Sequence, residues 1–224
     1  MIKKELKGKK FVASYSGGKD STLSIYRAIK TGLKPVCFII TYNKDRNLSW
    51  FHGLPKGVLD SVSKSLNVPI WLIETSGEEY TKNFEKGLTK AKELGAEVCI
   101  FGDIDLEEHL KWCSQRCENV GIDPCFPLWK EDRKKLVYEF LESGFTSTFT
   151  VINTNKLDDR FLGMTMTKEI CKQIEKEGAD ICGENGEYHT FVYDGPIFKE
   201  KVNFKLGEKI KENEYSILPI KEDF

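Results

Sequence analysis

Short apolar runs separated by helical repeats dominate the first half of the chain. Residues 11–14 (FVAS), 35–41 (PVCFIIT), 69–73 (PIWLI) and 97–101 (EVCIF) are almost continuously apolar, the pattern of strands covered on both faces. Between them, residues 21–30, 56–66 and 79–94 carry helical patterns, and Gly95 closes the last. This alternation predicts a parallel sheet flanked by helices. Right-handed crossovers bring the four strand ends to one edge, where ligands of such folds bind.

The pattern changes after residue 101. Gly102-Asp103-Ile104-Asp105 leads into a helix expected over about 106–120, stopped by Gly121 and the Asp123-Pro124 step. Residues 125–129 (CFPLW) read as a hinge. Beyond them come a helix at about 132–141, a β run at 145–152 rich in Thr, Phe and Val, a helix at about 168–176, and a Gly-rich segment at 183–190 before short strands. The expected organisation is an α/β, Rossmann-like parallel-sheet domain over residues 1–128 and a smaller α+β domain over 129–224. No repeat or low-complexity segment is evident.

Composition narrows the class. At 224 residues, 40% hydrophobic and 31% charged, the chain can bury a full core. Its 34 basic and 35 acidic residues leave a net charge of -1, so no general attraction for nucleic acid is expected. The basic start MIKKELKGKK is followed by too short an apolar run for a signal peptide, and no stretch approaches the roughly 18 apolar residues of a membrane helix. A cytoplasmic protein with no membrane contact is expected. Seven scattered cysteines, an odd number, suit reduced thiols better than a disulfide framework.

Chemistry first shows at the end of the first strand, where Ser16-Gly17-Gly18-Lys19-Asp20-Ser21 opens a helix. Glycines let bare N–H groups approach an anion, Lys19 adds charge, and the helix start adds its dipole and unpaired donors. The ligand expected is phosphate. A Walker A loop is excluded twice over: Ala13 stands where its first glycine belongs, and Asp20, not a hydroxyl, follows Lys19. An acid beside the lysine suits a magnesium-bridged pyrophosphate. A plain glycine turn capped by Ser16 or Asp20 is the alternative.

A second cluster, Cys182 to Thr190 (CGENGEYHT), packs Glu184, Glu187 and His189 around turn residues. Turn chemistry explains the glycines and Asn185 but not the acids and histidine. Such a group can hold magnesium, accept protons or bind a cationic substrate; a solvated loop leading to an edge strand is the alternative.

The first motif resembles the PP-loop, SGGxDS, of ATP pyrophosphatases of the adenine nucleotide alpha-hydrolase type, which cleave ATP to AMP and pyrophosphate. Together with FGDI at 101–104, PLW at 127–129 and CGENGEYHTFVYDGP at 182–196, it resembles the diphthine-ammonia ligases in a compact archaeal form, over nearly the whole chain. That resemblance implies ATP and Mg2+ as cofactors. The implied substrates are diphthine, a modified histidine on translation elongation factor 2, and ammonium, joined through an acyl-adenylate to give diphthamide. It places Ser14, Ser16, Gly17, Gly18, Lys19, Asp20, Ser21, Gly102 and Asp103 at the nucleotide, with Asp20 and Asp103 at the metal. Gly183, Glu184, Asn185, Gly186, Glu187, Tyr188, His189 and Thr190 then face the acyl group and ammonia. Lys19, Asp20, Glu187 and His189 are the implied catalytic set, with Glu187 or His189 accepting the proton. No glutaminase region is visible, so free ammonium is the expected nitrogen donor. Homo-oligomerisation stays open.

Two other functions fit the nucleotide motif: a tRNA thiolase carrying sulfur on Cys182 or Cys113, and a sensor that holds ATP or AMP without chemistry. Other features have plainer readings. His109, Cys113 and Cys117 share a helix face, but the ends of that row lie about 12 Å apart, too far for one ion. Trp50, Phe51 and His52 in a polar loop either stack on a ligand or pack beneath the loop. Arg116, Arg133 and Arg160 meet phosphates or surface acids, and the lysine-rich run 199–211 is a solvated face.

Overall fold

A computed structural model describes residues 2 and 4–223. The chain divides into two compact units whose segments interleave. The first takes the chain up to Ser16, Asp20–Trp50 and Asn67–Glu131, and the second takes Gly17–Lys19, Phe51–Leu66 and everything from Asp132 onward.

In chain order the elements begin β1 (Lys10–Ser14), α1 (Lys19–Thr31), β2 (Lys34–Asn43), β3 (Leu48–Ser49), α2 (Lys56–Leu66) and β4 (Ile70–Thr75). They continue with α3 (Tyr80–Glu93), β5 (Val98–Ile100), α4 (Glu107–Val120) and β6 (Asp123–Cys125). All but α2 and the first residue of α1 lie in the first unit. The expected strands and helices all form, with ends shifted by a residue or two.

The first unit is built on a six-stranded sheet in which β2 pairs β1 and β4, β1 pairs β5, and β5 pairs β6, all parallel; only the short β3 runs antiparallel. Parallel pairing puts the ends of β1, β2, β4 and β5 on one edge, as the alternation required. Val12, Ile39, Phe84, Leu88, Cys99 and Phe101 anchor the core between sheet and helices α3 and α4. Each fully buried side chain of this size stabilises the unit by about 1.5–3 kcal/mol. Residues 123–125 correct the sequence reading. Gly121 ends α4, and the Asp123-Pro124 step, read only as part of that stop, opens β6, bonded through Asp123 N–H to the Glu97 carbonyl at 2.9 Å. Proline is tolerated because β6 is the outermost strand, where a missing donor leaves no neighbour unpaired.

The second unit adds α5 (Arg133–Glu142), β7 (Thr146–Asn153), α6 (Lys168–Lys176), β8 (Tyr188–Asp194), β9 (Phe204–Leu206), β10 (Ile210–Glu212), β11 (Tyr215–Ile217) and β12 (Ile220–Glu222). Strands β10, β11, β7 and β8 form an antiparallel sheet in that order, leaving β8 as an edge; β9 and β12 pair separately. Helices α5 and α6 begin at side-chain caps, Asp132 accepting from Lys135 N–H at 2.8 Å and Thr167 from Ile170 N–H at 3.2 Å. Among the described residues, no helix is long and apolar enough to cross a membrane.

Candidate active site

The sequence-predicted residues fall into both units. In the first, Ser14 ends β1 and Asp20 lies half-buried in the first turn of α1. The Ser16 hydroxyl meets that of Ser21 at 3.0 Å, and Ser16 N–H donates to Ser21 Oγ at 3.3 Å, closing the loop onto the helix start. Gly102, just past β5, presses on the same turn: a Cβ there would lie 2.7 Å from Ser21 N and 2.9 Å from Ser21 Cα. Only glycine allows that approach of two backbones. The next residue, Asp103, turns Oδ1 to His109 Nδ1 at 3.1 Å and Oδ2 to Cys113 Sγ at 3.9 Å. Burial first, then the Asp103 carboxylate, pushes the Cys113 thiol above its ordinary range.

In the second unit, the glycine turn docks against the outer edge of β8. Gly17 has φ +86°, with Leu54 packed where a Cβ would sit. Its carbonyl accepts from Val192 N–H at 2.8 Å, and Lys19 N–H donates to Thr190 Oγ1 at 3.2 Å. Lys19 is buried, with its ammonium 5.6 Å from the Tyr188 ring centroid. An edge strand has unpaired backbone groups to satisfy; here the turn of the anion motif satisfies one of them, the Val192 N–H. Gly17, Lys19, Tyr188 and Thr190 therefore meet, although the motifs lie far apart in sequence.

The turn preceding β8 is held by its own acids. Glu187 is buried, its Oε1 accepting from Asp180 N–H and Asn185 Nδ2, both at 3.2 Å, and its Oε2 from Asn185 N–H at 3.0 Å. Arg133 donates through Nη1 to Asp180 at 2.6 Å and to Asn185 Oδ1 at 3.0 Å, while Lys156 bonds the Asn185 carbonyl. The Tyr188 hydroxyl donates to the Ile181 carbonyl, and Gly183 fits against that tyrosine's ring. Gly186 is exposed at the tip and Glu184 is half-buried. Both Glu187 oxygens thus serve the turn.

His52 is the residue that sequence reasoning did not assign. Its Nδ1 lies 2.8 Å from the Thr190 carbonyl oxygen, and its ring centroid lies 4.9 Å from that of His189. Burial first, then the neighbouring His189 and Lys19, lower its pKa to about 3; burial followed by Lys19 also lowers that of His189. Each ring keeps some solvent contact, but both stay neutral near pH 7. The available signal was an imidazole in an aromatic loop; nothing local pairs it with residue 190.

The remaining candidates have structural partners. Arg116 pairs with Glu85 at 3.3 Å, Arg133 with Asp180, and Arg160 with Glu177. All seven cysteines are free thiols, and Cys113 and Cys182 are buried. Trp112 packs on Phe84 and Tyr80, and Trp50 meets Tyr80 edge-on.

Comparison with known proteins places the chain. Residues 9–124 match the diphthamide synthase N-terminal domain and residues 132–223 the diphthamide synthase C-terminal domain. A diphthine–ammonia ligase from Homo sapiens is 29% identical over 93% of this chain and 87% of its own, and one from Danio rerio is 23% identical over 93% and 91%. A solved structure from Methanocaldococcus jannaschii, described as a "predicted subunit of tRNA methyltransferase", aligns with TM-score 0.45 and 15% identity over 86% of this chain and 100% of that one. A likeness that loose carries no functional argument. With both domains matched in order across nearly its full length, the chain belongs to the diphthamide synthase family.

Proposed function

We propose that the protein amidates diphthine on translation elongation factor 2, using ATP and ammonium and releasing AMP and pyrophosphate. The observation that carries this reading is the clamp between the glycine turn and β8, through Gly17–Val192 and Lys19–Thr190. It joins the Gly17–Lys19 turn to the strand that bears His189 and follows the acidic turn. A bare nucleotide sensor has no use for that joint. The thiolase reading is disfavoured by its sulfur carriers: both are buried, and burial with Asp103 holds the Cys113 thiol protonated, a poor nucleophile.

The donor set fits the nucleotide. Glycine at 17 and 102 keeps backbone close and free of side chains, and Lys19 offers a buried cation to the pyrophosphate oxygens. Magnesium would be held by Asp20 and Asp103, where its charge would offset that of the phosphates. Ser14, Ser16 and Ser21 supply hydroxyls at the strand end and helix start.

Chemistry then proceeds in two balanced steps. A diphthine carboxylate oxygen bonds to the α-phosphorus as the bridge to pyrophosphate breaks. The ammonia nitrogen then bonds to the acyl carbon, the acyl–oxygen bond breaks with its electron pair on AMP, and the nitrogen gives up a proton. The neutral His189 imidazole accepts that proton, while Glu187 holds the turn that carries it. The test is incubation with diphthine-bearing factor, Mg-ATP and ammonium chloride, followed by mass measurement of the factor and assay of nucleotide products. Amidated factor with AMP and pyrophosphate is expected; ADP, or turnover indifferent to ammonium, would overturn the proposal.

A further inference from the structure

We infer that the His52–His189 pair is the nitrogen-donor subsite, and that it takes neutral ammonia and rejects the ammonium ion. The inference rests on the ligase reading and deepens it.

A carbonyl oxygen only accepts, so the 2.8 Å contact with Thr190 fixes the His52 proton on Nδ1. Nε2 of the neutral ring is then an acceptor, and it has no hydrogen-bond partner among the described residues; the His189 ring has none either. The two rings are tilted by 58° with centroids 4.9 Å apart, so they are not stacked face to face. Two neighbouring imidazole rings, each with a nitrogen able to accept, suit a small ligand with several N–H donors. Ammonia has three, and binding two of them leaves its lone pair uncommitted.

Charge selects the neutral form. The groups that act on His52 are His189 and Lys19, and Lys19 acts on His189. No carboxylate is among them. A second cation would meet the Lys19 charge and lose its hydration; both penalties already hold the two rings neutral. Ammonia pays neither, and it alone carries the nucleophilic lone pair.

The experiment measures amide formation on diphthine-bearing factor at saturating Mg-ATP, varying ammonium chloride across roughly pH 6.5 to 8.5. ATP–pyrophosphate exchange, measured at each pH without ammonium, reports the activation step separately. KM expressed as total ammonium should fall about tenfold per pH unit, while KM expressed as free ammonia stays flat. His52→Gln and His189→Gln should each raise KM for ammonia about tenfold, as loss of one acceptor implies, and slow amide formation far more than exchange. A KM for total ammonium that ignores pH, or variants that lose both steps equally, would overturn the subsite while leaving the ligase reading intact. A wild-type protein that forms no amide would overturn both.

Discussion

The backbone N–H of Lys19 donates to the hydroxyl of Thr190 at 3.2 Å, joining positions 171 residues apart. A turn that grips phosphate needs its donors fixed before the ligand arrives, and this bond fixes the lysine's own peptide. Thr190→Val keeps the buried shape and removes the acceptor. KM for ATP should rise about five- to tenfold, the worth of one hydrogen bond, and Thr190→Ser should restore it. Steady-state kinetics on the three proteins decides.

Lys19→Ala removes the cation from the cradle. A charge-assisted contact of this kind is worth about 1.5–3 kcal/mol, so ATP use should drop about 10- to 100-fold. Since the Lys19 charge helps lower the His189 pKa, the imidazole should titrate at higher pH in the variant. NMR titration of His189 tests that second effect; an unmoved pKa would separate the two side chains.

Gly102→Ala sets a methyl group against the backbone of Ser21. Neither partner is a flexible side chain that can swing away, so the first turn of α1 must shift. We expect a loss of about 1–3 kcal/mol, seen as a melting temperature lower by roughly 3–10 °C, with weakened ATP binding by calorimetry. Normal ATP affinity would remove residue 102 from the nucleotide site.

Glu187→Gln replaces one accepting oxygen with a donor that faces other donors. The change should cost about 1–3 kcal/mol and suppress amidation through the displaced turn, while pyrophosphate exchange continues. A variant with normal stability would show that the turn does not depend on this carboxylate.

Acid should weaken the fold through His52. Its pKa in the folded chain, about 3, lies below the ordinary 6.5, so the unfolded chain binds the extra proton first. The contribution is complete above about pH 6.5 and is lost progressively as pH falls toward 3. His52→Gln should flatten the dependence of melting temperature on pH in that window.

Local rules made the first unit legible. Residues 35–41 and 97–101 needed only apolar continuity to read as strands, and Gly121 marked the end of α4 through its φ of 67°. Residues 123–125 misled because a proline breaks helices and central strands but sits unpenalised at a sheet edge, and edge position is not written locally. The two halves of the candidate site were visible as motifs. Their joint was not, because each contact in it has a backbone group on at least one side (the Gly17 carbonyl and Val192 N–H, the Lys19 N–H, the Thr190 carbonyl), and a backbone group leaves no mark in a sequence. The bonds of Glu187 were hidden likewise: an acid in a turn carries no mark of whether its oxygens face solvent or neighbouring N–H groups.

The bond between the turn at Gly17–Lys19 and strand β8 also sets an order of events during synthesis. The motif emerges from the ribosome early, but its clamp follows only after roughly 170 more residues, a delay of about 10–30 s at ordinary translation speed. A nascent chain therefore carries the Ser16–Ser21 motif well before it has the strand that fixes the motif's turn; under the proposed function, nucleotide use waits for the carboxyl-terminal half.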